Sequence, residues 1–512
     1  MAKENLQALF RQSEKTRIEP KIIPPINDLL YEIVSQGTKI LQKNSNYLEQ
    51  ASHPSGRWLN NVDLERSHGI YIHTKDGQQY LDYSNHWMTS MLDRFKHPEL
   101  DDPGYLGGLG VLAHEKFTPT ETAADVQVYF IDMMRGFFAR GREKENFQVL
   151  PVSAGAMAVD DAIYTAKGLV LERLKENSIK HQFTSQRNLS GVVFEGAFHG
   201  RYGEGASATQ NPAKTAHKDM DNTTPVIAPT VEFNFDGSID LQETRNNLEA
   251  SMKRTEELLE RDDHAYVIIE YPLQAEGGAR VINPDVLRQL SEICKKHGKI
   301  LIVDCVQMGG RSWSKDLETG AVSPFAQEVI DYADIVTFGK IFHVNGSVIN
   351  KKNIASKDLD PEYINKHALE YGGTHTSTFA DMLSGAMIMS VVMQKELWKN
   401  ALEKTNDILN ALKEFVDRHG LLIKPRGRPE DTAYLSWSFL TTDLRNQFLR
   451  LMAEKEYIIL LAAGENSVRL APNPDMIDEE RDYLIQAIEN QLINMKNQEE
   501  DYSNHIDLMP QS

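Results

Sequence analysis

Two cysteines, Cys294 and Cys305, are all that the 512 residues contain. So few thiols exclude a disulfide framework and fit a reducing compartment. Long hydrophobic runs are missing as well, and no window approaches the roughly 18 uninterrupted apolar residues of a membrane span. The opening stretch, MAKENLQALFRQSEK, mixes both charge signs and lacks the apolar core of a secretory signal. Positive charge is in deficit: 55 Lys and Arg stand against 74 Asp and Glu, a net −19. A surface that acidic repels nucleic-acid phosphates and anionic lipid, and no long basic patch offsets it, so neither is an expected partner. There is no internal repeat and no low-complexity tract. His68, His73, His86, His97, His199 and His375 are scattered without ligand spacing on one helix face, so no metal site is expected. These absences point to a soluble, cytoplasmic protein.

What is present is ordinary globular material, 41% hydrophobic and 25% charged. At roughly 150 residues per domain the chain has room for two to four units and a large core. The amino-terminal stretch of about 50 residues is polar, with Pro20, Pro24 and Pro25, and reads as a segment that wraps another surface. The end from Asn497 is acidic and poor in apolar residues, the composition of a frayed tail.

Between these ends the pattern is α/β. Gly69 to Asp82 has β-rich flanks around Lys75-Asp76-Gly77, a hairpin signal. AYVIIEY, from Ala265, is a short apolar strand. A helix follows it, with Asn283 as N-cap, Pro284 at its first position and Gly298 as terminator. KILIVD, ending at Asp304, and DIVTF, ending at Phe338, are further buried strands. Strand, helix and strand in that order make crossover units of a parallel sheet, which binds ligands at the carboxyl ends of its strands. After Asp381 the texture becomes α+β: two helical runs, the strand YLSWSF, a helix, two short strands around Gly464-Glu465-Asn466, and a closing helix. This reads as a separate unit, joined by the amino-terminal hairpin.

The strand ends hold the candidate chemistry. Asp304 closes a wholly apolar strand, where an ionised carboxylate is costly without a cation or hydrogen-bond donors; a turn or cap role is the alternative. Gln307 can bring an amide to the same cavity. Lys340 ends another buried strand, where apolar neighbours would lower its pKa toward nucleophilic use; a solvated lysine is the alternative. An acid and an amine at neighbouring strand ends suit pyridoxal phosphate, whose aldehyde takes a lysine and whose ring nitrogen takes an aspartate. The small residues Ser153-Ala154-Gly155-Ala156 run into a helical pattern, and bare amides at a helix start are an anion site; a packed turn is the alternative.

The segments Ser153 to Ala162, Phe198-His199-Gly200-Arg201, Pro272 to Gly278, Val303 to Gln307 and Asp334 to Lys340 carry a resemblance. In that order and spacing they are similar to class III, pyridoxal-phosphate-dependent aminotransferases of fold type I, over roughly Asp63 to Leu492. Within the class, Asp63 to Gly69, Pro212 to Ala216 and Val468-Arg469-Leu470 look most like lysine 6-aminotransferase, with GABA and ornithine aminotransferases as near relatives. The resemblance implies a large domain with a mostly parallel seven-stranded sheet plus a smaller α+β domain. The implied divisions are an extension at 1–55, the first part of the small domain at 56–105, and the cofactor-binding domain at 106–380. The rest of the small domain at 381–496 and a disordered tail at 497–512 complete the chain.

The same resemblance implies roles. Lys340 is the Schiff-base lysine and Asp304 the pyridinium partner. Gln307 lies by the ring's 3-hydroxyl, Phe198 stacks on the ring and His199 stands beside it. Gly155 and Ala156 form the phosphate site, and Thr374 reaches the phosphate from a partner subunit, which makes the protein a homodimer. Arg469 clamps the α-carboxylate, Arg201 takes the distal carboxylate of 2-oxoglutarate, and Glu276 pairs with Arg201 when an amine is bound. Such a pair makes sense electrostatically, because an arginine fork that takes a carboxylate repels the distal cation of a diamine. The implied activity moves the terminal amine of L-lysine, or of a similar ω-amino acid, to 2-oxoglutarate. An ornithine, GABA or other ω-amine donor, an aminomutase or decarboxylase, and a non-catalytic binding protein are the alternatives. Three departures from the family pattern stand out: Tyr271 replaces the glutamate before the proline, with Glu270 one step earlier; Cys305 follows the aspartate; and Thr374 to Thr378 lacks the usual aromatic and glycines.

Overall fold

The apolar runs of the middle of the chain lie side by side in one sheet. The computed structural model describes residues 2–16, 62–114, 122–176, 185–215, 222–234, 237–363, 377–420 and 423–506. Its central strands are β1 (Phe147–Val152), β2 (Ser190–Phe194), β3 (Thr223–Val226), β4 (His264–Glu270), β5 (Ile300–Cys305), β6 (Ile335–Phe338) and β7 (Asn345–Asn350). Their spatial order is β1-β7-β6-β5-β4-β2-β3. Only β7 runs antiparallel to its neighbours; the other pairings are parallel. This is the expected mostly parallel seven-stranded sheet.

Both faces of the sheet are covered. In β4 and β5, Val267, Ile269, Leu301 and Val303 enter one apolar cluster, and the intervening Ile268 and Ile302 enter another. Side chains alternate across a strand, so a sheet buried on both faces needs unbroken apolar runs, which is what these strands are. The helix between β4 and β5, Val286–His297, ends at Gly298 with φ +60°, a left-handed C-cap that glycine adopts without strain. The helix starts two residues later than the sequence places it, with Asp285 at the N-cap position; Asn283 instead accepts a hydrogen bond from the Asp285 amide in the preceding turn.

A second sheet, wholly antiparallel, holds β8 (Lys424–Gly427), β9 (Leu435–Ser438), β10 (Leu461–Ala463) and β11 (Ser467–Leu470) in the order β8-β9-β11-β10. Trp437, Phe448, Leu484 and Ile488 make its core with the long helices Leu397–His419 and Asp478–Ile506. The hairpin Tyr71–His73 and Gln79–Asp82 joins this unit through a parallel pairing of Leu81 and Asp82 with Ile458 and Ile459.

Two terminal expectations change. Residues 2–16 form a helix whose Leu6, Leu9 and Phe10 enter the same core, because the polar stretch hides an i, i+3, i+4 apolar stripe. The closing helix runs on to Ile506, through the stretch whose composition reads as frayed. No helix among the described residues is long and apolar enough to cross a membrane.

Candidate active site

Register places three polar residues in a row at the carboxyl ends of the buried strands. Glu270 of β4 pairs with Asp304 of β5, and Asp304 pairs with Thr337 of β6. Asp304 is buried among donors: its Oδ1 accepts from Thr337 Oγ1 at 2.8 Å and from the Val306 amide at 3.0 Å, and its Oδ2 lies 2.8 Å from His199 Nδ1. A carboxylate at the end of an apolar strand is thereby satisfied on three sides.

Lys340 follows β6 after Gly339. It adopts φ +52°, the left-handed region that side chains seldom occupy, and its Nζ donates to Gln307 Oε1 at 2.6 Å. A Cβ at position 339 would collide with the Asn345 side chain, so glycine is required where the chain turns the lysine inward. Burial, reinforced by the charges of Arg469 and Arg311, brings the Lys340 amine down to about 7. Gln307 is itself held, its Nε2 donating to Tyr434 Oη at 3.0 Å and its carbonyl accepting from Arg311 at 2.7 Å.

These groups face a cavity of about 430 Å³. Its far side is the start of the helix Gly155–Glu176, where Gly155 and Ala156 line the wall. A Cβ on Gly155 would lie 2.8 Å from Val306 Cγ1, and one on Gly200, at φ +134°, would lie 3.1 Å from the Ala156 Cβ. Free amides at a helix start, kept open by glycine, make a cradle for an anion. Phe198 and His199 line the cavity, and Arg201 stands exposed on its rim.

Glu276 and Arg469, whose charges act on Lys340, form an ion pair of 2.7 Å. The expectation pairs Glu276 with Arg201; in the structure its partner is Arg469. The loop carrying Glu276 meets the turn between β10 and β11, where the Gly464 amide donates to the Glu276 carbonyl at 2.9 Å, and this brings Arg469 of β11 within reach. Against the cost of burial, Arg469, Lys340 and Lys214 hold the Glu276 carboxyl below its usual range, and Glu276 holds Arg469 charged. Arg469 Nε and Nη1 are buried without hydrogen-bond partners, the state of a guanidinium built for a further oxygen ligand.

Glu270 is a site residue that the motif reading left as a displaced family position. Its carboxyl accepts from the Phe198 amide at 3.0 Å and the Ala275 amide at 3.3 Å, and burial beside Asp304 raises its pKa well above the carboxylate range. Strand alignment to Asp304 is the signal that could have found it. Tyr434 and Arg311 come from segments with no sequence motif pointing to the cavity. Tyr271 turns away instead: Arg428 donates to its hydroxyl at 2.7 Å and also pairs with Glu328 and Asp431. Cys305 is buried and its thiol is pushed up by burial, which makes it inert. Thr374, His375 and Thr376 lie outside the described residues, whereas Thr378 Oγ1 caps the helix Phe379–Gln394.

A mostly parallel sheet with an inward lysine, an aspartate in the adjacent strand and a glycine-opened helix start defines a fold type I transferase. Residues 53–492 match the aminotransferase class-III family, and the chain belongs to it. It is 23% identical over 438 residues to an L-lysine-epsilon aminotransferase of Streptomyces clavuligerus, covering 83% of this chain and 89% of that one. The L-lysine-epsilon aminotransferase of Mycobacterium tuberculosis H37Rv is 26% identical over 444 residues, covering 84% and 91%. Human mitochondrial 4-aminobutyrate aminotransferase is 25% identical over 443 residues, covering 80% of each chain. The solved lysine aminotransferase of M. tuberculosis shares the fold with a TM-score of 0.75 at 24% identity, over 88% of this chain and 98% of that one.

Class III aminotransferases depend on pyridoxal 5'-phosphate. The residues present fit that group: an inward amine, a carboxylate satisfied by His199 and Thr337, and an open amide cradle surround one cavity.

Proposed function

We propose that the protein transfers the terminal amine of L-lysine, or of a similar ω-amino acid, to 2-oxoglutarate. The observation that carries this reading is the buried Glu276–Arg469 pair. A site that must accept both a diamine's distal end and an oxo acid's carboxylate needs an arginine whose charge can be masked and released. Names of the relatives support the lysine donor.

When bound, the cofactor supplies an aldehyde that links covalently to amines and a ring that draws electrons from the bond beside that link. Lys340 is the residue that would hold it covalently, Asp304 would face the ring nitrogen, and Gly155 and Ala156 would take the phosphate. Phe198, His199 and Gln307 would line the ring, and Thr374 is proposed to come from a second subunit.

The protein's own residues then have distinct tasks. Lys340 Nζ, about half neutral near pH 7, is placed to accept a proton from the substrate carbon and to return it, on the same face, to the neighbouring carbon of the linked system. Gln307 Oε1, fixed by Tyr434, sets where that amine rests. Asp304, oriented by Thr337 and His199, keeps negative charge where a ring cation must persist. While a diamine occupies the site, Glu276 masks Arg469. When 2-oxoglutarate arrives, its α-carboxylate takes Arg469 and its distal carboxylate takes Arg201 on the rim. The displaced Glu276 needs another cation, because an unpaired buried carboxylate is costly. Lys214 is the available one: its charge already acts on Glu276, and Asn211 of the same segment donates to the Glu276 carbonyl at 2.8 Å.

A second copy of the chain is proposed to cover the helix Pro103–His114. That helix is apolar but buries none of its residues, and the nearby chain exposes Tyr129 at 57% and Val128 at 60%. Two buried free cysteines support a cytoplasmic location.

The test is glutamate formation from 2-oxoglutarate with lysine, ornithine and 4-aminobutyrate as donors, using wild type and Lys340→Ala. Lysine should be preferred, and the variant should lose both turnover and the visible absorbance of lysine-bound cofactor. A variant that kept both would overturn the assignment of Lys340, and carbon dioxide release without an oxo acid would favour a decarboxylase.

A further inference from the structure

Behind the Glu276–Arg469 pair lies a second cavity, of about 890 Å³. Its wall is the Gly277-Gly278 loop, the Gly464 turn and Ser467 of β11. The first two touch closely, since a Cβ on Gly464 would lie 2.9 Å from the Gly278 Cα. None of the residues around Lys340 lines this cavity.

Three arginines from three different elements converge here. Arg280 stands just after the Glu276 loop, Arg426 is on β8, and Arg445 is on the helix Thr442–Lys455. Every hydrogen bond they make among the described residues goes to a neutral oxygen. Arg280 donates to Gln274 Oε1 at 3.1 Å and to the Glu195 carbonyl at 2.6 Å. Arg426 donates to Ser467 Oγ at 2.8 Å, while its Nε is buried without a partner. Arg445 is buried and donates to Asn446 Oδ1 at 2.8 Å and to the Ser467 carbonyl at 3.2 Å.

The charge of Glu232 acts on Arg280 and Arg426, yet among the described residues none of the cavity's carboxylates forms a direct ion pair with the three arginines. Glu195 and Glu465 are exposed at the rim, and Glu232 accepts from Thr230 and Asn247 instead. Burial and the charge of Arg280 bring Arg426 down to about 10, and burial also lowers Arg280 and Arg445. Guanidinium groups gathered in a partly buried cavity without a direct ion pair are costly, and an arginine fork is matched in shape to a carboxylate or phosphate.

We propose that this cavity binds a small polyanion, with at least two carboxylate or phosphate groups, through Arg280, Arg426 and Arg445. The site is separate from the reaction cavity, and its wall at Gly277 and Gly278 follows Glu276 directly in the chain. Ser467, which two of the arginines hold, is two residues from Arg469 on the same strand, so an occupant acts on the strand that presents the substrate arginine.

The test is calorimetric titration of cofactor-loaded protein with pyrophosphate and with citrate, repeated on Arg426→Gln and Arg445→Gln. Arg445 sits on a helix at the cavity side, so its variant keeps the test alive if Arg426→Gln does not fold. Binding by at least one probe is expected, weakened about tenfold or more in each folded variant. Preference for pyrophosphate identifies a phosphate ligand, and preference for citrate a polycarboxylate. No binding of either probe below about 10 mM, or equal affinity in wild type and Arg445→Gln, would overturn the proposal. Because the readout is binding, its failure leaves the donor assignment untouched, and an absent lysine activity leaves this site untouched.

Discussion

The Lys340 amine gives a thermodynamic prediction that needs no substrate and no cofactor. In the folded chain it titrates at about 7, against 10.5 for an ordinary lysine, chiefly because burial disfavours the charge and Arg469 adds repulsion. Between those two values the unfolded chain binds a proton that the folded chain does not. Stability therefore rises with pH in that window, and the gradient fades below about 7, where both forms are protonated. The contribution is about 1 kcal/mol per pH unit from pH 7 to 9, about 2 kcal/mol over that span. Urea unfolding of cofactor-free protein at pH 7, 8 and 9, for wild type and Lys340→Met, measures it directly. Wild type should gain stability across the series relative to the variant, which has no amine to titrate. The hydrogen bond to Gln307 lost in the variant shifts its curve by a constant and leaves the slope alone. Parallel pH dependence in the two proteins would mean that the amine is ordinary, and the account of its reactivity would fall with it.

Glu276→Gln leaves Arg469 permanently unmasked; stopped-flow half-reactions should show the ratio of lysine to glutamate rates falling about tenfold or more, and an unchanged ratio would refute the masking role. Asp304→Asn removes the charge opposite His199 while sparing the bond from Thr337, so turnover should fall by about two orders of magnitude or more with the circular dichroism spectrum retained. Gly464 has φ +54°, so Gly464→Val both strains the backbone and forces a side chain onto Gly278; a loss of about 1–3 kcal/mol in denaturant unfolding is expected, together with a raised KM for 2-oxoglutarate because the Glu276 loop is displaced.

The parts of the site that motifs disclose are those whose chemistry is local in the chain. Asp304 and Lys340 each end an apolar run, and parallel strands automatically align such ends, so two positions 36 residues apart in sequence fall on one edge of the sheet. Gly155 and Ala156 are readable for the same reason, since a small-residue entry to a helix is a local feature. Glu270 escapes because its meaning lies in register: only the pairing of β4 with β5 sets it against Asp304. The amino-terminal helix is hidden from composition and visible only in periodicity. Leu6, Leu9 and Phe10 are three apolar residues in a polar stretch, yet their spacing puts them on one face.

The partner of Glu276 shows a different limit. Carboxylate and guanidinium patterns say that a pairing is needed but not which arginine supplies it, and Arg201 is as good a chemical match as Arg469. Position decides between them. Arg201 sits exposed on the rim, where water competes for any ion pair, whereas Arg469 comes in on a buried strand of the second sheet. The Gly464 amide pins the Glu276 carbonyl to that same sheet, and the absence of a side chain at Gly464 lets the two backbones meet. A mask on Arg469 therefore ties the Glu276 loop to the second sheet beside a backbone contact, and on the proposed function a substrate carboxylate would compete with that link. Any closing of the small unit onto the large one is expected to follow the carboxylate that occupies Arg469, because that charge and the loop that masks it belong to opposite sides of the cleft.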